Sequence, residues 1–209
     1  MIIQGSPEWH AARLGKITAS RVVDVMARTK AGWGASRANY AAELIAERLT
    51  GNSAPSFTND AMRWGTDTEP YAREAYARKF GVDVYEIGFV DHPEVAMSGA
   101  SPDGLVGDDG LIEIKCPNTA THLDTLLSGN VPGKYLTQMQ FQMACTGRSW
   151  NDYVSFDPRL PLNMQLFVQR VPRDVGLILE LETEVSAFHD EIEAKLSDLR
   201  WIYGDKVAA

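Results

Sequence analysis

Cysteine is scarce: the 209 residues hold two, Cys116 and Cys145, with no CxxC pair. A disulfide framework and a cysteine-rich zinc site are therefore not expected. No apolar run reaches the roughly 18 residues that a membrane-crossing helix needs, so a transmembrane span is not expected either. The opening stretch, MIIQGSPEWHAARLG, lacks the basic segment followed by an apolar one that marks a secretory signal. The histidines, His10, His92, His122 and His189, fall in no metal-ligand spacing. Internal repeats, low-complexity tracts, and Rossmann or P-loop fingerprints are also missing.

What is present is an ordinary globular mixture, 44% hydrophobic and 23% charged. At about 150 residues per domain, the length suits one elaborated domain over 1–209. The net charge of -8 counts against a protein whose whole surface binds nucleic acid. The charge is uneven. Residues 1–50 carry seven basic and four acidic side chains, residues 51–179 ten and sixteen, and residues 180–209 three and eight. The basic start suits one wall of an anion site, or simply scattered solvated charge. Bound divalent metal would offset part of the central acid excess.

The chain begins with a helical region, residues 1–81. Ser6-Pro7 opens a short helix, with proline at the first position. Thr18 or Ser20 is placed to cap a second, carrying Val22, Val23, Val25 and Met26. Lys30–Ala35 reads as a loop, and Ser36 starts a helix through Leu49, closed by Gly51, with Tyr40, Leu44 and Leu49 on an apolar stripe. Thr58 is placed to cap a helix that ends near Gly81, with Met62, Thr66, Glu69, Arg73 and Ala77 roughly on one side. Short strands follow at 84–90 and 95–100. Asp108-Asp109-Gly110 signals a turn into a strand, Leu111–Cys116. Helices at 119–129 and 134–145, strands at 153–156 and 164–171, and a closing helix over about 173–203 complete the pattern. That last helix sets Val175, Ile178, Glu182, Val185, Phe188, Ile192, Leu196 and Leu199 at three- and four-residue steps. The fold class is α/β, with a mixed central sheet flanked by helices.

The informative stretch runs from Ser101-Pro102-Asp103-Gly104 to Leu111-Ile112-Glu113-Ile114-Lys115-Cys116-Pro117. Strand alternation puts Glu113 and Lys115 on one face, with Ile112 and Ile114 on the other. A hairpin through the Asp109-Gly110 turn brings Asp103 beside Glu113. Two hard oxygen donors and a lysine at one strand end suit Mg²⁺ and an ordered water. That set fits phosphodiester hydrolysis, in which the cation acidifies water and the lysine orients it or stabilises developing negative charge. On spacing alone, a surface hairpin with an ion pair fits equally well.

With its flanking segments, the sequence resembles the PD-(D/E)XK nuclease superfamily, and within it the phage lambda-type exonucleases, or YqaJ-like viral recombinases. The matching pieces cover most of residues 9–170. They are Trp9-x-x-x-Arg13-x-Gly15-x-Ile17-Thr18-Ala19-Ser20, Trp64-Gly65-x-x-x-Glu69, the Asp103 and Glu113-x-Lys115-Cys116-Pro117 segments, and Tyr135-x-x-Gln138-x-Gln140. The resemblance implies a restriction-endonuclease-like fold. It implies that Asp103, Glu113 and the carbonyl of Ile114 ligate Mg²⁺, two ions in all with Mn²⁺ as a substitute. Lys115 would assist the water, Glu69 would lie near the metals, and Gln138 would arrange the catalytic end of the sheet. Arg13, Ser20 and Ser101 would hold a 5′-terminal phosphate. The implied activity is 5′-to-3′ digestion of linear double-stranded DNA to mononucleotides, leaving a 3′ single strand for an annealing protein. The implied assembly is a homotrimeric ring in the cytoplasm of a bacterial host, encoded by a phage or prophage.

Read without the resemblance, Arg13 suits a surface ion pair, Ser20 a helix cap and Glu69 a solvated helix face. Gln138 and Gln140 are two apart and do not share a helical face, so at least one has a structural or solvent role. Tyr135 suits packing better than acid catalysis. Trp33, between Gly32 and Gly34 and near Lys30 and Arg37, suits either base stacking on DNA or the anchoring of its loop. Two other functions fit the same residues: a structure-specific DNA endonuclease, and a non-catalytic DNA-binding recombination scaffold.

Overall fold

The structure, a computed structural model, describes residues 3–53 and 59–204. Its helices are α1 (Pro7–Arg13), α2 (Val22–Val25), α3 (Ala35–Thr50), α4 (Asp60–Phe80), α5 (Thr119–Ser128), α6 (Gly133–Thr146) and α7 (Val175–Tyr203). Its strands are β1 (Ile17–Thr18), β2 (Arg28–Thr29), β3 (Gly32–Trp33), β4 (Val84–Tyr85), β5 (Val90–Asp91), β6 (Ser98–Ala100), β7 (Gly104–Val106), β8 (Gly110–Lys115), β9 (Trp150–Phe156) and β10 (Leu166–Pro172). The central sheet has the order β10-β9-β8-β7-β4. β8 and β9 run parallel and the other neighbours antiparallel, which makes the sheet mixed, as expected. A smaller sheet, β1-β6-β5, lies beside it, and β2 and β3 form a separate hairpin.

Period-two alternation on β8 and β9 divides the core between two helices. Ile112, Ile114, Val154 and Phe156 pack with Ala72 and Tyr76 of α4. Leu111 and Tyr153 pack on the other face with Met139 and Met143 of α6. A third core joins α2, α3, α6 and α7, where the Phe188 ring stacks on Tyr40 at 5.8 Å between centroids. Phe188 is fully enclosed. Phe188→Ala is expected to lower unfolding free energy by about 3–5 kcal/mol in a urea titration.

The helix ends follow local chemistry. The Ser6 side chain accepts the Trp9 N–H at 3.2 Å, with Pro7 in the first turn. Gly51 and Gly81 close α3 and α4 in the left-handed region, at φ of 69° and 64°. Asn59 caps α4 by accepting the Met62 N–H at 2.9 Å; the expected cap, Thr58, lies outside the described residues.

Several expectations need correction. Neither Thr18 nor Ser20 caps α2 through its side chain; the two residues enter a 3₁₀ turn, and α2 is a single helical turn. Lys30–Ala35 is not loop throughout, because β2 and β3 form a hairpin there. Leu49 is 49% exposed, since five residues after Leu44 is about 140° off its stripe. Val175, the first residue of α7, is exposed, whereas Leu181 belongs to the buried stripe of that helix. The expected strand at 84–90 is two short strands in two sheets, β4 on β7 and β5 on β6, and between them the Gln4 amide donates to the carbonyls of Ile87 (3.0 Å) and Pro102 (2.8 Å). The buried side of α4 is Thr68, Ala72 and Tyr76; Glu69 and Arg73 form its half-buried flank.

Candidate active site

The register of the β7–β8 hairpin sets the site. Gly104 pairs with Ile112, so Asp103 falls beside Glu113. The Asp103 N–H donates to the Ile112 carbonyl at 3.2 Å, and Asp103 Oδ2 accepts the Ile114 N–H at 2.6 Å. Two glycines fix the turn for different reasons. Its left-handed residue is Gly107, at φ 53°, while Gly110 is required by packing: a Cβ there would meet the Trp150 ring at 2.1 Å. Arg148 braces the turn by donating to the carbonyls of Gly107 (2.8 Å) and Gly110 (2.7 Å).

Glu113 is fully buried, so its carboxylate needs strong partners. It has three. Lys115 pairs with Oε1, Gln138 Nε2 donates to Oε1 at 2.7 Å, and Gln142 Nε2 donates to Oε2 at 2.5 Å. Asn151 holds Gln142 in turn, donating to its Oε1 at 2.8 Å. Gln142 and Asn151 are absent from the sequence-derived set. The signal for Gln142 was the four-residue step from Gln138, which puts both amides on one face of α6. Gln140, two residues on, donates to the Pro172 carbonyl and accepts the Asp174 N–H, so it anchors the entry to α7. Tyr135 stacks on Tyr153, with Lys115 Nζ 5.2 Å from its ring centroid, which is a packing role.

Glu69 belongs to the same neighbourhood. It pairs with Arg73 at 2.5 Å. Burial raises its carboxyl above the ordinary range, Arg73 opposes this, and Glu113 adds to the rise. Asp103 is raised well above its ordinary value by burial and then by Glu113. Burial alone would depress the Lys115 ammonium, but Glu113 and Asp103 outweigh it and hold the group above its usual value. Three carboxylates thus repel one another across one strand end. Among the described residues, no three His, Cys, Asp or Glu side chains stand in metal-holding geometry. The donor chemistry nevertheless fits a hard divalent cation. A carboxylate offers about four lone-pair sites, Glu113 uses three, and Asp103 uses one in the hydrogen bonds described.

The phosphate candidates meet in a second place. Arg13 and Ser20 line a pocket of about 430 Å³ with Trp9, Lys16, Arg21 and Tyr40. The Arg13 guanidinium lies over the Trp9 ring at 4.0 Å, and Trp9 Nε1 donates to Ser101 Oγ at 2.9 Å. Trp9 therefore links the pocket to the segment that carries Asp103. Ser20 is exposed, with its hydroxyl 3.4 Å from that of Thr18. Glu43 and Glu47 also line the pocket, so its basic wall is not uniform.

Trp33 is not drawn into either group by its described contacts. Arg28 and Arg37 lie 4.0 and 3.8 Å from its ring centroid, and both arginines pair with Glu184 of α7. His122 is buried between Ser155 and the Met164 carbonyl, and His92 accepts the N–H groups of Glu94 and Val95; both are structural. Cys116 and Cys145 are free and buried. Burial pushes the Cys116 thiol up to about 12.

An acid pair and a lysine on a short hairpin, set into a mixed sheet with helices on both faces, define a metal-dependent nuclease of the PD-(D/E)XK class. The chain belongs to the YqaJ-like viral recombinase family, whose domain matches residues 8–149. It is 57% identical to LHK-Exo, an alkaline exonuclease from Laribacter hongkongensis, over 94% of this chain and 97% of that one, with a TM-score of 0.89. One of the LHK-Exo crystal structures is a complex with dAMP. A phage-related exonuclease from Haemophilus somnus 129PT is 16% identical over 88% of this chain and 96% of that one, and its TM-score of 0.70 is a likeness of fold. No curated protein matches the sequence.

Proposed function

We propose that this chain, read as one exonuclease domain over 1–209, digests linear double-stranded DNA from 5′ to 3′ with Mg²⁺. It releases mononucleotides and leaves a 3′ single strand for an annealing protein. The observation that carries the reading is the convergence of Asp103, Glu113 and Lys115 at one sheet end, in a chain 57% identical to an alkaline exonuclease. That relative's complex with dAMP supports a mononucleotide product here.

Asp103, Glu113 and the Ile114 carbonyl would hold the cation, with Glu69 close enough for a contact through water. Two ions suit the three carboxylates, and Mn²⁺ has the same preference for oxygen. When bound, the cation acidifies water and draws charge from the scissile phosphate. Lys115 orients the attacking water and stabilises negative charge as it develops. Gln138 and Gln142 keep the Glu113 oxygens in place. Water oxygen bonds to phosphorus as the bond to the 3′ oxygen breaks, so the released nucleotide departs and the next 5′ phosphate remains on the strand. Arg13, Ser20 and Ser101 hold the terminal phosphate, which places the next linkage at the centre and gives the reaction its direction.

A homotrimeric ring would reconcile processive digestion with a net charge of -8, because topological retention replaces tight affinity. Trp33 stacking on DNA, and action in the cytoplasm of a phage-bearing or lysogenic bacterial host, belong to the same reading. Among the described residues no helix is long and apolar enough to cross a membrane.

The test is digestion of 5′- and 3′-end-labelled linear duplexes and covalently closed circles, with Mg²⁺ and with a chelator. Mononucleotides released from 5′ ends only, with circles intact, are expected; cut circles would favour an endonuclease, and binding without products a scaffold. Arg13→Ala is expected to cut the preference for 5′-phosphorylated over 5′-hydroxyl ends by about 10-fold or more, the scale of one lost charge-assisted contact. Equal losses on both ends would remove the residue from the phosphate pocket.

A further inference from the structure

The chain leaves the carboxyl end of β9 through Asp157, Pro158 and Arg159. Because Lys115 is in register with Ser155, this corner lies beside the catalytic end of β8. The Asp157 carboxylate is fully buried. It accepts hydrogen bonds from Thr119 Oγ1 at 2.7 Å and from the Arg159 backbone N–H at 3.0 Å. It also holds the Arg159 side chain, through Nε at 2.7 Å and one terminal nitrogen at 2.9 Å. That same nitrogen reaches the Pro117 carbonyl at 3.3 Å. The guanidinium lies 4.4 Å from the centroid of the Trp64 ring. Trp64 precedes Glu69 by five residues on α4.

Arg159 therefore touches the segment just past Lys115, the helix that bears Glu69 and the end of β9. Its side chain nevertheless stays 45% exposed, and its second terminal nitrogen has no partner among the described residues. A fork held along one edge and across one face has lost most of its rotamer freedom already. Binding a ligand at its free edge costs little further entropy. The two N–H groups of the free terminal nitrogen suit a phosphate oxygen. The opposite side of the sheet end carries a comparable cation: Lys134 lies 4.7 Å from the Tyr135 ring centroid.

We propose that Arg159 is a substrate-positioning residue, donating from its free terminal nitrogen to a DNA backbone phosphate next to the scissile one. Asp157 and Trp64 set its aim, and the inference rests on the nuclease reading of the centre. Its contact is made equally in the bound substrate and in the transition state, so it acts on KM rather than kcat.

The test uses the full-length protein with Mg²⁺ on linear duplexes bearing a single methylphosphonate, an uncharged linkage, at successive positions from the 5′ end. Wild-type digestion is the control for the nuclease reading, and its absence would overturn that reading rather than this one. Arg159→Ala is expected to raise KM about 10-fold with kcat within about twofold. One methylphosphonate position should raise KM for the wild type and add nothing for Arg159→Ala, the sign of a direct pair. Arg159→Lys keeps a cation against Asp157, and with it the fold, but lacks the fork; it should also raise KM. A KM unchanged in folded Arg159→Lys and Arg159→Ala, or a methylphosphonate cost that persists undiminished in either, would overturn the contact. Melting temperatures of both variants identify a loss that is only loop bracing: a lowered melting temperature with every methylphosphonate cost intact also counts against it.

Discussion

Lys115→Ala should slow digestion of linear duplex by about 10²- to 10³-fold, the scale seen when one aimed donor to developing charge is removed. The reason lies in how the ammonium is held. Lys115 pairs with the fully buried Glu113, and Glu113 and Asp103 together keep it charged against the opposing effect of burial. The loss on mutation should therefore be nearly independent of pH between about 6 and 9. Removing the charge also removes one of three partners from a buried carboxylate. Breaking a buried ion pair costs about 3–5 kcal/mol when nothing replaces the partner. Here Gln138 and Gln142 remain as donors at 2.7 and 2.5 Å. The variant should therefore melt earlier yet stay folded at 25 °C, which circular dichroism checks. Lys115→Arg should recover only a small part of the rate, because a planar fork does not fill the place of a compact ammonium. Single-turnover digestion with saturating Mg²⁺ makes the measurement, and a folded Lys115→Ala with undiminished rate would remove the residue from the chemistry.

Much of this centre was legible in the sequence because it depends on short-range geometry. Alternation along Leu111–Cys116 puts Glu113 and Lys115 on one face whatever surrounds the strand, and a turn at 107–110 returns the chain so that Asp103 meets Glu113. The α/β class followed in the same way from helical and strand periods. What depends on long-range packing was not legible. Gln142 acts only because α6 crosses the face of β8, and Asn151 only because β9 runs parallel beside it. The turn signal Asp108-Asp109-Gly110 was local, but the need for a glycine at 110 was not, because it is the Trp150 ring, forty residues away, that claims the space above it. The split of 84–90 between two sheets depends on pairing with β7 and β6, which no local pattern in that segment announces. The stripe on α7 was correct in period, but periodicity cannot say at which turn burial begins, and Val175, in the first turn, is exposed.

The clearest test of cation binding uses stability rather than turnover. Asp103 has a folded-state pKa raised above its ordinary value by burial and by Glu113, and Glu69 is raised in the same sense. A group raised on folding stabilises the protein fully below its unfolded pKa, about 3.9 for an aspartate. That stabilisation disappears as pH climbs through the folded value. Metal-free wild type should accordingly lose more melting temperature between pH 5.5 and pH 8 than Asp103→Asn does; His92, held below its ordinary value by burial, acts in the opposite sense over this range but equally in both proteins. Asp157, lowered to about 2 chiefly by its hydrogen bonds to Arg159 against the effect of burial, changes stability only in more acidic solution and does not disturb this window. A divalent cation binds the ionised carboxylates, so Mg²⁺ should raise the melting temperature more at pH 8 than at pH 5.5. At 100 times its dissociation constant the ion contributes about 2.7 kcal/mol. That corresponds to roughly 5–10 °C for a chain of this length. Asp103→Asn removes both the raised carboxyl and a donor oxygen. Its metal-free melting temperature should fall less from pH 5.5 to pH 8, Mg²⁺ should shift it by at most about 2 °C, and cleavage should fall by about 100-fold or more. Differential scanning calorimetry with and without Mg²⁺ at the two pH values reads all of this except the cleavage. An Asp103→Asn protein that keeps the full Mg²⁺ shift at pH 8 would place the cation away from this carboxylate, and the assignment of Asp103 as a ligand would fall with it.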